Sequence, residues 1–431
     1  MLEVKPFSFR DRRFLELLSR SGSIDPELEM EAAAVIAAVE SDGPEELRRS
    51  ITPRDSEPAA TDQLRVSEDE LSAARDGVSE RFLTALSLAR VNIRKFHEYQ
   101  RRHGYVHDDG DGVRLSRRVR PLSRVGICCG SSYTALLMHA VPAQVVGVGA
   151  IAVAAAPRHD GAIDPRFLAT AKILGIDEVY RLGGAHAVAA LALGVEPVRR
   201  VDKIVGPGDG LAPAAKKLLR GRVGVDSGLG MSELAVVADD SANARFIAAD
   251  LLAQAEHDNG HGVLALLTTD RFLAEAVRIE LNRLLEMQPN AHLLKTALER
   301  SGALYVCHDI GQAMEAANAL APARLALMTR DDEEHLSDVE HAGLVLMGPW
   351  SVEAVGDYFA GLCPFLPVAG SARYASGLGV DDFVRQVTVL EYSPERLART
   401  GRHALGLAEE DGSPAHVSAL QERLELLKLT V

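Results

Sequence analysis

Arg124-Val-Gly-Ile-Cys128 and Ala150-Ile-Ala-Val-Ala-Ala-Ala156 are short apolar runs, and the order of such runs along the chain decides the fold. Val125–Cys128 and Ala150–Ala156 read as strands. Asp164-Pro165 opens a helix that ends near Gly175, because Asp caps a helix and Pro suits its first turn. Glu178–Arg181, Lys203–Val205 and Val223–Val225 read as further strands, with helices near 184–193 and 211–220. Strands and helices in this alternation build a parallel, doubly wound sheet. The alternation then begins again. Glu233–Ala238, Val263–Thr268, Leu304–Cys307, Leu325–Met328 and Leu344–Met347 read as strands, and 242–257 and 271–286 as helices. The fold class is α/β, with two Rossmann-like units in tandem. Neither unit opens on G-x-G-x-x-G, so motif alone gives no dinucleotide site.

Around this frame the pattern is helical. Asp25-Pro26 starts a helix to about Val39, residues 41–63 are rich in Pro, Glu, Asp and Ser and read as a loop, and Ser67–Arg102 reads as one long amphipathic helix. The last fifty residues return to helical spacing. The 431 residues are 47% apolar and 25% charged, an ordinary balance for a globular protein, and the formal net charge is -14. That charge argues against nucleic acid or an anionic membrane as partner. The first ten residues hold no apolar signal core, and Val145–Ala156 is too short and too rich in Gly to span a bilayer, so a cytoplasmic protein is expected. The four cysteines, Cys128, Cys129, Cys307 and Cys363, form no C-x-x-C pair and no disulfide framework. Vicinal Cys128-Cys129 is a redox device or, the favoured reading, two small apolar residues at a strand end.

Chemistry-bearing residues stand apart along the chain. In Gln254-Ala-Glu-His257 the amide and the imidazole share one helix face, and both side chains can ligate a divalent cation, although such a pair by itself is more often plain surface polarity. Asp357 and His416 stand at turns, and spacing alone does not join them to that pair. His335 and His341 lie in an acidic run and read as a solvated face. The Gly183-Gly184, Gly206-Pro-Gly208 and Gly228-Leu-Gly230 turns allow close backbone approach to a polar ligand, or are simply tight turns.

Taken together, Arg120-Pro-Leu-Ser-Arg-Val-Gly126, Gly183-Gly-Ala-His-Ala-Val-Ala-Ala-Leu191, Val201-Asp-Lys-Ile-Val-Gly-Pro-Gly208, Gly230-Met-Ser-Glu-Leu234, the run from Ala248 to Asp258 and Gly356-Asp-Tyr358 resemble the histidinol dehydrogenase family, in the family's order and over nearly the whole chain. The resemblance implies two incomplete Rossmann-like doubly wound domains with small helical N- and C-terminal pieces. The expected division is 1–24 as N-terminal piece, 25–121 plus 234–378 as the domain with the metal ligands, 122–233 as the second Rossmann-like domain, and 379–431 as a C-terminal piece that reaches the partner subunit of an intertwined homodimer. It implies NAD-dependent oxidation of an amino alcohol at a zinc site. The family's metal ligands match Gln254, His257, Asp357 and, from the partner, His416. Ser232 and Asp411 fall at substrate-binding positions.

The departures from the family matter as much. Its Pro-Glu-His-Leu motif, in which the acid activates water and the imidazole is general base, reads Pro322-Ala-Arg-Leu325 here. Arg324 stays protonated and is no ordinary base, but it can hold a carboxylate or phosphate. A family histidine is replaced by Pro364. The cofactor loop reads Cys128-Cys-Gly-Ser-Ser132 and is shorter, and the cofactor contacts become His186 and Asp209, so the expectation is that NAD binds poorly or not at all. Candidate proton-transfer groups are His186, Asp209, Asp411 and His261. The leading expectation is a zinc-dependent enzyme with altered chemistry on a small amino-acid-like or amino-alcohol-like substrate. The alternatives are a dehydrogenase with a rebuilt cofactor site and a non-catalytic metal-binding paralogue.

Overall fold

The computed structural model describes residues 2–20, 22, 24–51, 63–226, 233–257 and 262–429. In chain order its strands are β1 (Val4–Pro6), β2 (Tyr105–Asp108), β3 (Val113–Pro121), β4 (Arg124–Cys128), β5 (Ala150–Ala155), β6 (Val179–Arg181), β7 (Lys203–Val205), β8 (Gly224–Val225), β9 (Glu233–Ala238), β10 (Val263–Thr268), β11 (Gly302–Val306), β12 (Arg324–Met328), β13 (Leu344–Met347) and β14 (Val384–Tyr392). They form a five-stranded parallel sheet, β6-β5-β4-β7-β8, a six-stranded parallel sheet, β1-β11-β10-β9-β12-β13, and a three-stranded antiparallel sheet, β14-β3-β2. Parallel neighbours need crossover helices, which cover both faces, so β9 and β10 are buried at every position.

Two compact units result. One comprises Met1–Gln100 and Leu122–Phe383 and holds both parallel sheets; the other comprises Arg101–Pro121 and Val384–Val431 and holds the antiparallel sheet. Within the first, helix Pro26–Asp42 packs on helices Gly184–Leu193 and Ala212–Leu219, helix Glu68–Gly77 on Pro165–Ile173, and helix Glu80–Tyr99 on Tyr133–Val146. Within the N-terminal residues β1 pairs with β11 at the edge of the six-stranded sheet, and helix Arg12–Leu18 follows it. Gly206, at the end of β7, has φ of 110°, and a Cβ there would run into the Cys128 carbonyl. The chain therefore needs glycine where β4 and β7 diverge.

Three elements depart from expectation. The stretch Ser67–Arg102 is two helices, Glu68–Gly77 and Glu80–Tyr99, because Val78 is extended and Ser79 accepts from the Phe82 N–H as a fresh N-cap. The expected loop at 41–63 contains helix Pro44–Ile51, which buries Leu47 and Ile51. The last fifty residues begin with β14 before helices Pro394–Glu410 and Pro414–Leu429; Val387 and Val389 alternate with polar residues, the period of a strand.

Candidate functional site

A cavity of about 220 Å³ lies in the larger unit, and four elements supply its polar wall. Helix Ala244–His257 follows β9 and places Gln254 and His257 there. Helix Glu353–Tyr358 places Asp357 and Tyr358. Arg324 comes from the first position of β12, and Ser132 and Thr134 from the start of helix Tyr133–Val146. Met138, Pro207 and the Pro364–Leu366 stretch close the apolar side. Three of the four residues matched to metal ligands thus meet in one cavity with Arg324 and Pro364, two of the positions that depart from the family resemblance.

The charges there form a closed network. The Arg324 guanidinium, almost buried, donates from NH2 to Asp357 Oδ1 at 3.0 Å. Its Nε lies 3.3 Å from Glu353 Oε1, close enough to pair the charges but not angled as a hydrogen bond. Gln254 is hydrogen-bonded to Glu353 in turn. Burial pushes the Glu353 carboxyl up to about 7; Asp357 and Asp250 add to the shift, and Arg324 and Gln254 oppose it. Burial also raises Asp250 to about 6. The sequence reading missed Glu353 and Asp250, though the signal was there. Asp250, Gln254 and His257 are four and then three residues apart on one helix, and Glu353 and Asp357 four apart on another, so each set shares a face.

Whether these residues suit a resident divalent ion turns on Asp357. A cation on its Oδ1 would share that oxygen with a permanently charged guanidinium. Two like unit charges about 4 Å apart repel by roughly 4 kcal/mol at the effective dielectric near a protein surface, and a divalent ion doubles this. The donor types are present, but with Arg324 on Asp357 the site does not fit zinc.

The anchor of Arg324 is a buried carboxylate. Glu233, at the start of β9, accepts from the Ala323 N–H at 2.9 Å and the Ala369 N–H at 2.8 Å, and pairs with Arg20 through both oxygens. Ala323 itself is fully buried.

The three positions expected at a cofactor gather at the carboxyl edge of the five-stranded sheet, outside the cavity wall. Cys128 is buried, and its thiol is pushed up to about 12 by desolvation. His186 Nε2 lies 3.1 Å from Glu46 Oε1, on the helix missed in the sequence. Asp209 Oδ1 accepts from the Gly184 N–H at 2.9 Å, at the N-terminus of helix Gly184–Leu193. A helix N-terminus above a parallel sheet is where a dinucleotide phosphate binds. Here a carboxylate of the chain itself takes that N–H, so these residues do not fit a pyrophosphate. Ser232 and His261 lie outside the described residues. In the smaller unit, Asp411 is the C-cap of helix Pro394–Glu410 and accepts from the Ser413 hydroxyl, while His416 is exposed in the first turn of helix Pro414–Leu429.

A family profile described as histidinol dehydrogenase matches residues 18–424. A histidinol dehydrogenase of Bacillus cereus is 40% identical over 366 residues, 84% of this chain and 85% of that protein. One of Listeria monocytogenes is 36% identical over 406 residues, 93% of each chain. The crystal structure of a histidinol dehydrogenase from Elizabethkingia anophelis superposes with a TM-score of 0.90 at 31% identity, covering 99% of this chain and 98% of that one.

Proposed function

Because the chain belongs to the histidinol dehydrogenase family, we propose that it is a paralogue whose cavity binds a small amino-acid-like molecule and which does not perform NAD-dependent oxidation by a Glu-His pair. The observation that carries this reading is Arg324, in the cavity wall against Asp357, where the resemblance calls for the general base. A guanidinium cannot accept a proton at working pH, but it holds an acidic group through paired N–H donors. Phe365 and Leu366 set the apolar side. His257 is the cavity residue chemically suited to pass a proton. In this reading the protein works as a homodimer, with Asp411 and the partner subunit's His416 contributed by the C-terminal stretch.

The test is direct. Incubated with histidinol and NAD, the protein should give no steady NADH signal, and calorimetry should find no NAD binding. A panel of amino acids and amino alcohols is then screened by thermal shift, and any hit should be lost in Arg324→Ala. The 40% identity to histidinol dehydrogenases favours a second reading, a dehydrogenase of another alcohol with a rebuilt cofactor site. Steady NADH formation from any amino alcohol would promote it over the first.

A further inference from the structure

Asp357 lines the cavity; Glu353, four residues before it on the same helix, is buried beside it, and Asp250, on the helix that carries Gln254 and His257, is near enough to Glu353 to raise its carboxyl. Such a cluster calls for a cation. The chain supplies one itself: Arg324 donates to Asp357 Oδ1 at 3.0 Å and lies against Glu353, whose carboxylate also bonds Gln254. Of the three cavity residues with metal-donor chemistry, Asp357 is therefore held by the guanidinium. The guanidinium enters from the first residue of β12, a central strand, and the backbone before it is tied to buried Glu233, so it is not a side chain loosely swung in from the surface. We propose that Arg324 replaces the divalent ion of this site, as a built-in cation that neutralises the carboxylates and excludes metal. The proposal goes beyond the functional reading above, since a site of this kind can be metal-free whether or not it turns over a substrate.

Two consequences follow from the charge count. The cavity keeps its cation irrespective of metal supply, because a guanidinium does not dissociate and stays charged. Removing that cation leaves Glu353 and Asp357 with none, so the vacated site should recruit an external one. Loss of Arg324 should create metal binding where loss of an ordinary wall residue would only weaken ligand binding.

The experiment is zinc titration, with zinc chloride alone, of the full-length protein stripped by chelator, followed by a competing indicator. His257→Ala in each background separates cavity binding from surface histidines. The wild type should show no His257-dependent zinc. Arg324→Gln should take about one ion per chain, at least about tenfold more tightly than the wild type, and lose it on addition of His257→Ala. The idea is overturned by a wild type that holds a full equivalent of His257-dependent zinc. It is equally overturned by a folded Arg324→Gln protein, checked by circular dichroism, that gains none. The wild-type arm decides without any Arg324 variant: zinc should leave its melting temperature unchanged, and a rise that His257→Ala abolishes would refute the proposal. Because every readout is metal binding, failure here leaves the histidinol and amino-acid assays above to stand or fall separately.

Discussion

Glu233 is fully buried, and its two oxygens serve four donors: the Arg20 Nε and NH2 groups and the N–H groups of Ala323 and Ala369. It ties the N-terminal segment, the start of β12 and the Val368–Gly370 turn to one point beside the cavity. Breaking a buried ion pair from one side costs about 3–5 kcal/mol, because the partner charge is left without compensation. Glu233→Gln should therefore lower the unfolding free energy measured in urea by an amount of that order, and a loss under about 1 kcal/mol would show that the pair is dispensable. His139 makes a different prediction. It is fully buried in helix Tyr133–Val146, with Nδ1 2.7 Å from the Ala135 carbonyl and Phe365 against its ring. Desolvation depresses it from 6.5 to about 4. In the unfolded chain it protonates near 6.5, in the native one only near 4. Its effect is thus absent above 6.5, and stability is lost as pH falls through that window and levels off below about 4. The loss amounts to roughly 3 kcal/mol over the window, from about 1.4 kcal/mol per unit. Unfolding midpoints of the wild type and His139→Gln, compared between pH 7 and 4.5, should diverge from the same neutral baseline slope. Parallel curves would rule the effect out.

At the scale of elements, the sequence discloses what is local and hides what is not. The runs that became β4, β9 and β10 are legible because a strand covered on both faces is apolar along most of its length. β1 is a three-residue strand whose reality depends on β11, far along the chain, and nothing in Val4-Lys-Pro6 itself announces it. β14 carried its own alternation but sits next to two helices whose spacing dominated that region. The cavity was legible in part for the same reason. Gln254 and His257 are read from a helix face, whereas the Arg324–Asp357 contact joins residues that only the fold brings together. The break at Val78-Ser79 shows how small a local signal can be: one hydroxyl that accepts from Phe82 begins a new helix. Replacing an N-cap Ser by Ala costs about 1 kcal/mol. Ser79→Ala should lower the unfolding free energy measured in urea by about that much. Ser87→Ala, at an exposed position inside the same helix, should not lower it, because Ala is the better helix former there. Equal losses from the two variants would remove Ser79 as the cause of the break.

For the whole molecule, the smaller unit poses the sharper question. Arg101–Pro121 and Val384–Val431 pair β2, β3 and β14 and fold helices Pro394–Glu410 and Pro414–Leu429 against one another, with Gly401 admitting Leu424 at the crossing. Yet among its described residues no apolar side chain is buried. Leu390 is 63% exposed, Leu407 74% and Leu426 65%, with Tyr105 and Val106 also open. A unit this small needs covered apolar surface to be stable, and exposed patches of this kind mark an interface. A second copy of the chain is the cover that the family resemblance implies, and it would also bring Asp411 and His416 into use. The protein should therefore sediment as a dimer at micromolar concentration, with an unfolding midpoint that rises with protein concentration. Leu390→Lys combined with Leu407→Glu should shift sedimentation to the monomer and abolish the concentration dependence. A wild type that sediments as a monomer, with a midpoint indifferent to concentration, would mean that this surface is tolerated in water and that the homodimer assignment is wrong.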